Sequence, residues 1–418
     1  MLVALEIRQF RWLLGSNIAF FLAMQGQVLT RTFLAWDLTG EEMSLAYINL
    51  AFAIPMLLFS LIGGAVSDRI ERRKLILTGQ CLLIACELAI LALLATDSLQ
   101  FWHLITAGAF SGTVIPFLMP SRAALVYNVV GPAKLGNAIA LNSGVMNFAR
   151  VLGPAMMGFV LDLWSAVGAY AIASALFTVS MLSMLTIERQ PLHPPQQKHL
   201  VADMVAGFRY IAGYRPLLVC LLFGMVPMFL AMPFQNLLVL FADEVWMMGE
   251  RGLGILMATA GLGGTIGSLW VARAAGNNNR LMKSVVAALL FGCLLVVFSL
   301  SPGFYLALIP LVLANAFASA SQTLNNTMSQ LLVEDAYRGR MASFMMMTFG
   351  LTPLGVLPLA FLAQTTGPRT ALTLAAVTMI VVVVLFYLGS RTLRSLDEDV
   401  RKTLSNAGDG KRSDVTIR

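Results

Sequence analysis

The chain has 418 residues, of which 58% are hydrophobic and only 12% charged, and its mean hydropathy is +0.80. A soluble domain carries about 25% charged residues because its surface must face water, so this composition excludes an ordinary soluble globule. A formal net charge of +7 would suit nucleic acid, but the positions of the charges, taken up below, assign it to a membrane surface.

A spanning helix needs roughly 20 apolar residues. The first such run covers 10–36, too long for the core of a cleavable signal, and places Phe20, Met24, Gln27 and Arg31 on one helical face. Runs at 44–67 and 74–95 follow, the latter carrying Glu87 near mid-span. Those at 100–127, 135–161 and 166–187 complete a first set of six and hold Arg122, Arg150 and the sequence Gly153-Pro154 followed by Gly158. Residues 188–215 form the one long interior connection, rich in helix breakers at Pro191, Pro194 and Pro195. Its last part, from Leu200 to Tyr214, reads as an amphipathic surface helix. A second set lies at 216–242, 252–273, 281–300, 303–331, 339–363 and 367–390. Gln235 and Asn236 come just after Pro233 in the first of these, where a kink frees backbone groups. The four cysteines all sit in apolar runs and read as small core residues; no metal-ligand spacing is present.

This pattern predicts an all-α membrane protein with twelve transmembrane helices in two six-helix pseudo-repeats. Its parts are residues 1–187, a linker at 188–215, residues 216–391, and a charged tail at 392–418. Shifting the first set by about 203 residues lays Gly64 on Gly267 and Gly136 on Gly339, as a parallel repeat would. With the N-terminus inside, only Arg251 and Arg369 of the 28 Lys and Arg fall in exterior loops. The positive-inside rule then puts both termini in the cytoplasm and the basic excess against anionic lipid.

An ionisable residue at a helix centre costs about 2.5–3.5 kcal/mol on insertion scales, so each one needs a reason. Glu87 is the candidate proton carrier, or else half of a buried ion pair with Arg150 or Arg31. Arg31 is also a candidate for the cargo cavity, as is Gln27. In the run at 303–331, Asn315, Ser319, Gln322, Asn326 and Gln330 recur at steps of four, three, four and four. Such a polar stripe must face water or protein, because lipid satisfies no hydrogen bonds. The 24 methionines suit an adaptable apolar wall.

Between the second and third runs lies Gly63-Gly-Ala-Val-Ser-Asp68-Arg69-Ile-Glu-Arg72-Arg73-Lys74. It resembles the signature of the major facilitator superfamily, with Glu71 in place of the usual glycine. The resemblance implies that Gly64, Asp68, Arg69, Arg72 and Arg73 form a cytoplasmic conformational latch. It also implies that the first, fourth, seventh and tenth spans line the cavity, which brings in Gln235, Asn236, Asn315, Ser319, Gln322 and Asn326. A second stretch, Met119-Pro-Ser-Arg122 through Asn142 to Gly153-Pro154, resembles the branch of drug and siderophore efflux proteins that includes the enterobactin exporter. There Gly153, Pro154 and Gly158 are similar to the antiporter motif, although Ala149 and Met157 stand where glycine is usual; read alone, Gly-Pro is a packing kink.

The resemblance implies a proton-driven exporter of a small amphiphilic compound, drug or siderophore, acting by alternating access in the bacterial inner membrane. Its partners are the lipid bilayer and its cargo, with no nucleic acid, no cofactor beyond the proton gradient, and a monomeric state. Rival expectations are a nutrient importer or uniporter on the same fold, and an intramembrane enzyme or sensor. The latter lacks a catalytic constellation, since His103, His193 and His199 pair with no intramembrane acid.

Overall fold

The computed structural model describes residues 3–131, 134–189, 213–273, 279–333 and 352–398, with Arg209 and Ile211. Helices dominate the described residues, and no strand occurs among them. Ten helical stretches among them are long and apolar enough to cross a membrane. In lipid each backbone N–H and C=O must be satisfied internally, which is why apolar segments of this length become helices.

The elements are α1 (Arg8–Thr39), α2 (Glu42–Arg69), α3 (Arg72–Ala95), α4 (Phe101–Val130) and α5 (Leu135–Leu185). They continue with α6 (Arg215–Leu230), α7 (Gly249–Arg273), α8 (Arg280–Ser299), α9 (Phe304–Leu332), α10 (Val356–Thr366) and α11 (Pro368–Gly389). Gly40 ends α1 in the left-handed region at φ 62°, and its N–H bonds Trp36 O, a conformation cheap only for glycine. At 51 residues α5 would run about 76 Å, over twice the hydrocarbon thickness. It breaks at Ser165 (φ 61°, ψ −176°) and so contains two passes. After α6 the helix tightens to 3-10 over Met232–Leu237 and widens to a π turn at Phe241–Val245. Pro227 and Pro233 explain the irregularity, since each removes a backbone donor. Most of the expected surface helix at 200–214, most of the expected span 339–363 including Gly339, and most of the charged tail lie outside the described residues.

Contacts divide the chain into two units. The first takes in the described residues of Met1–Gln197, Phe234–Gly261 and Val356–Pro368. Its core gathers Phe20, Leu83, Leu118, Leu125 and Phe177 from α1, α3, α4 and α5, with Phe20 edge-on to Phe177 at 5.6 Å. Ala46, Val356 and Ala360 fasten α10 to α2. The second unit takes in the described residues of Lys198–Pro233, Leu262–Gly355 and Arg369–Arg418. Ser284 of α8 and Ser321 of α9 each donate to the other's carbonyl oxygen, at 3.1 and 3.0 Å. Apolar burial gives little association energy between helices in lipid, so small residues and such interhelical bonds hold the bundle. Accordingly Cys81 and Cys293 point outward and only Cys220 is fully buried, a correction to the expectation of four core cysteines. In a membrane, an apolar side chain gains as much from lipid as from the protein interior.

Candidate transport site

One face of α1 carries two polar layers into the first unit. In the upper layer Arg31 Nη2 bonds Glu87 Oε1 at 2.7 Å and Ser111 Oγ at 3.0 Å. Gln27 donates through Nε2 to the other carboxylate oxygen of Glu87. Glu87 is 1% exposed and Arg31 12%, and Tyr170 is fully buried. Glu87 is the one carboxylate buried among the described residues. Of the two arginines offered by the sequence, Arg31 takes the carboxylate. Arg150 is exposed on α5 and meets no described acid.

The lower layer sits about 10 Å away, two helical turns along α1 and α3, where Phe20 precedes Gln27 and Gln80 precedes Glu87 by seven residues. There Arg122 of α4, 3% exposed, has no described carboxylate partner. Its guanidinium donates to Asn17 Oδ1 and, at 3.0 Å, to Ser180 Oγ, and it lies 4.0 Å from the Phe20 ring centroid. Gln80 Nε2 reaches the same Ser180 hydroxyl at 2.6 Å, and Asn17 donates to Asn142 at 2.7 Å. Neutral oxygens and a ring face thus hold a buried cation. The sequence marked Arg122 as an arginine inside a span but gave it no role; the cost of burying it was the available signal.

In the second unit, a cleft of about 50 Å³ opens between α6 and α9. Met225, Pro227 and Met228 line one wall, and Ser321, Gln322, Asn325 and Asn326 the other. Of the expected stripe, Gln322 and Asn326 face this cleft, Asn315 is buried and donates to Leu311 O at 3.0 Å, Ser319 is half-buried and Gln330 exposed. Asn325, which the stripe pattern passed over, is 5% exposed and meets Cys220 Sγ at 3.4 Å. A Cβ on Gly224 would run into its amide, so the glycine makes room for that side chain.

Residues 2–407 match the family of transmembrane secretion effectors, MFS_3. The chain belongs to this family. The chain is 28% identical to the enterobactin exporter of Shigella boydii serotype 18 over 286 residues, 67% of each chain. The same identity and coverage relate it to the enterobactin exporter of Escherichia coli O81. Among solved structures it resembles the nucleoside transporter NupG, with a TM-score of 0.71 at 16% identity over 91% of this chain and 98% of that one. A POT family transporter gives 0.73 at 13% identity over 92% and 96%. These identities speak to fold alone, and the fold is that of a major facilitator. The protein is an efflux transporter of the membrane.

The remaining expected residues fall into two groups. Gly153, Pro154 and Gly158 form a close seam within the first unit. A Cβ on Gly153 would lie 2.9 Å from Gln25 Cβ in α1, and one on Gly158 would lie 2.5 Å from Gly254 Cα in α7. Beyond the seam, Trp36 Nε1 donates to Asp243 at 2.9 Å and Asn49 Nδ2 to Asn236 at 2.7 Å, while Gln235 is exposed. At the other end, Gly64, Asp68 and Arg69 lie in the last turns of α2, and their side chains lie outside the described residues. Arg73 donates to Leu185 O at 2.9 Å and more weakly to Met184 O at 3.4 Å. Arg72 reaches Ala124 O at 3.4 Å. Both basic side chains therefore meet carbonyls of their own unit, and those bonded by Arg73 lie at the C-terminus of α5, where a cation suits the negative end of a helix dipole.

Proposed function

We propose that this protein is a proton antiporter that exports a small amphiphilic compound from the bacterial cytoplasm, with Glu87 as the proton carrier. The observation that carries this reading is the Gln27–Glu87–Arg31 cluster, a sealed carboxylate held by one cation and one amide inside a span. Proton-free, the Arg31–Glu87 pair is neutral; proton-loaded, it carries one positive charge. A membrane potential does about 2.3 kcal/mol of work per charge per 100 mV, so the potential acts on the proton-loaded form, as a carrier driven by the proton gradient requires. Gln27, which cannot titrate, orients the carboxylate.

The latch at Gly64, Asp68, Arg69, Arg72 and Arg73 and the seam at Gly153, Pro154 and Gly158 then supply the alternation between two halves, residues 1–187 and 216–391. Both termini lie in the cytoplasm, the protein acts as a monomer in the inner membrane, and it binds neither nucleic acid nor a catalytic cofactor. We read it as a transporter without enzymatic activity. That its relatives are enterobactin exporters supports a siderophore-like cargo.

The test is uptake of a panel of fluorescent amphiphiles into inverted membrane vesicles under an imposed pH gradient. Wild type should concentrate at least one compound, and Glu87→Gln should bind it yet only equilibrate it. Breaking a buried pair by removing one partner typically costs about 3–5 kcal/mol. If Glu87→Gln instead melts early and Glu87→Gln with Arg31→Gln recovers both stability and uphill uptake, the pair is structural and the proton travels elsewhere.

A further inference from the structure

We propose that the α6–α9 cleft is a cargo subsite for an uncharged, flat, polarisable group with a hydrogen-bonding edge, such as a phenol or a conjugated amide. This names the chemistry of the exported compound and rests on the reading of the protein as an exporter.

The first observation is the division of the lining. One wall is built by Met225, Pro227 and Met228, with Met232 and Phe291 beside it. Thioethers fill irregular gaps and attract aromatic ring edges. The opposite wall presents side-chain amides at Gln322 and Asn326, one helical turn apart on α9. A planar group between the two walls touches sulfur and carbon with its face and amides with its edge.

The second observation is that the two amides are not used for packing. Asn325 one position away is tied to Cys220 Sγ, and Ser321 is paired with Ser284. Gln322 and Asn326, both half-buried and facing the cleft, make no hydrogen bond to any described residue. A polar group inside a span that bonds neither lipid nor a described residue is free to meet water or a ligand. Each amide has two donors and an acceptor, so the wall accepts a hydroxyl, which both gives and takes, as well as an amide.

The third observation is charge. None of the residues lining the cleft is ionisable. An ion placed there would lose hydration with no partner to replace it, a cost of several kcal/mol. The cleft thus selects against anions and cations alike. At about 50 Å³ it takes the edge of one ring and its substituent, not a whole cargo. The remainder of the compound lies outside it.

Three coumarins separate the possibilities: 7-hydroxycoumarin, coumarin without the hydroxyl, and coumarin-3-carboxylate, all at pH 6.5. Binding to the purified full-length protein in detergent is followed by fluorescence and calorimetry, without any gradient. The hydroxyl should improve affinity about 5- to 10-fold over coumarin, and the carboxylate should bind at least tenfold more weakly. Gln322→Ala with Asn326→Ala should erase the gain from the hydroxyl while leaving coumarin affinity within about twofold. Met225→Ala with Met228→Ala should weaken both neutral compounds together. A melting curve for each variant guards against misfolding. Equal binding of all three coumarins, or a hydroxyl preference that survives Gln322→Ala with Asn326→Ala, overturns the proposal. Failure of proton coupling looks different: normal coumarin selectivity in the binding assay with no uphill uptake in vesicles.

Discussion

Gly158 gives the sharpest structural perturbation. A Cβ there would lie 2.5 Å from the Gly254 Cα, whereas non-bonded carbons rest about 3.5–4.0 Å apart. Both sides are backbone, so no side chain can swing away; α5 and α7 must separate by about 1 Å or more. Overpacking of this kind costs about 1–3 kcal/mol, offset by the roughly 1 kcal/mol that alanine gains over glycine in a helix. Gly158→Ala should therefore destabilise the state seen here by up to about 2 kcal/mol, roughly 30-fold in population. Gly144 lies in the same helix with nothing within 4 Å of its would-be Cβ, so Gly144→Ala should be neutral or stabilising. Thermal unfolding of the two variants in detergent reads the difference directly, with melting temperature lowered for the first and unchanged or raised for the second. If both substitutions shift the melting temperature equally, the seam is not a close contact and the argument fails.

Two further outcomes follow from the α2–α3 end. Asp68→Asn should abolish transport while leaving insertion and melting temperature nearly intact, since the proposed latch needs one carboxylate beside the basic residues Arg69, Arg72 and Arg73; full transport by a well-inserted variant would remove the latch. Arg73→Gln should lower stability by about 0.3–1 kcal/mol, the worth of a cation at an exposed helix C-terminus, because the guanidinium caps the Met184 and Leu185 carbonyls; an unchanged melting temperature would show that water replaces it at no cost.

Much of the architecture was readable from the sequence because long apolar runs have few alternatives in lipid. The break after Pro233 was also legible, since proline removes a donor wherever it stands, and the structure tightens to 3-10 there. What the sequence left open was rotation and pairing. Glu87 was recognisable as an acid needing a reason, but Arg31 and Arg150 were equally available partners until the faces of α1, α3 and α5 were known. The stripe on α9 separates for the same reason. Residues three or four apart share a face only approximately, so Gln322 and Asn326 reach the cleft while Asn315 bonds its own helix. Asn325, off the count by one residue, turns inward to Cys220. The web around Arg122 joins α1, α3, α4 and both passes of α5, and no local pattern announces such a set.

The central claim is that cargo leaving and a proton entering share one carboxylate. The direct measurement is proton movement in proteoliposomes loaded with a pH-sensitive dye and given no gradient except 7-hydroxycoumarin or another compound transported in the vesicle screen. Wild type should move protons against the direction of cargo flow, and Glu87→Gln, folded and binding the same compound, should move cargo downhill with no proton signal. Proton flow in the same direction as cargo, or an equal opposing proton signal in Glu87→Gln, would contradict the account.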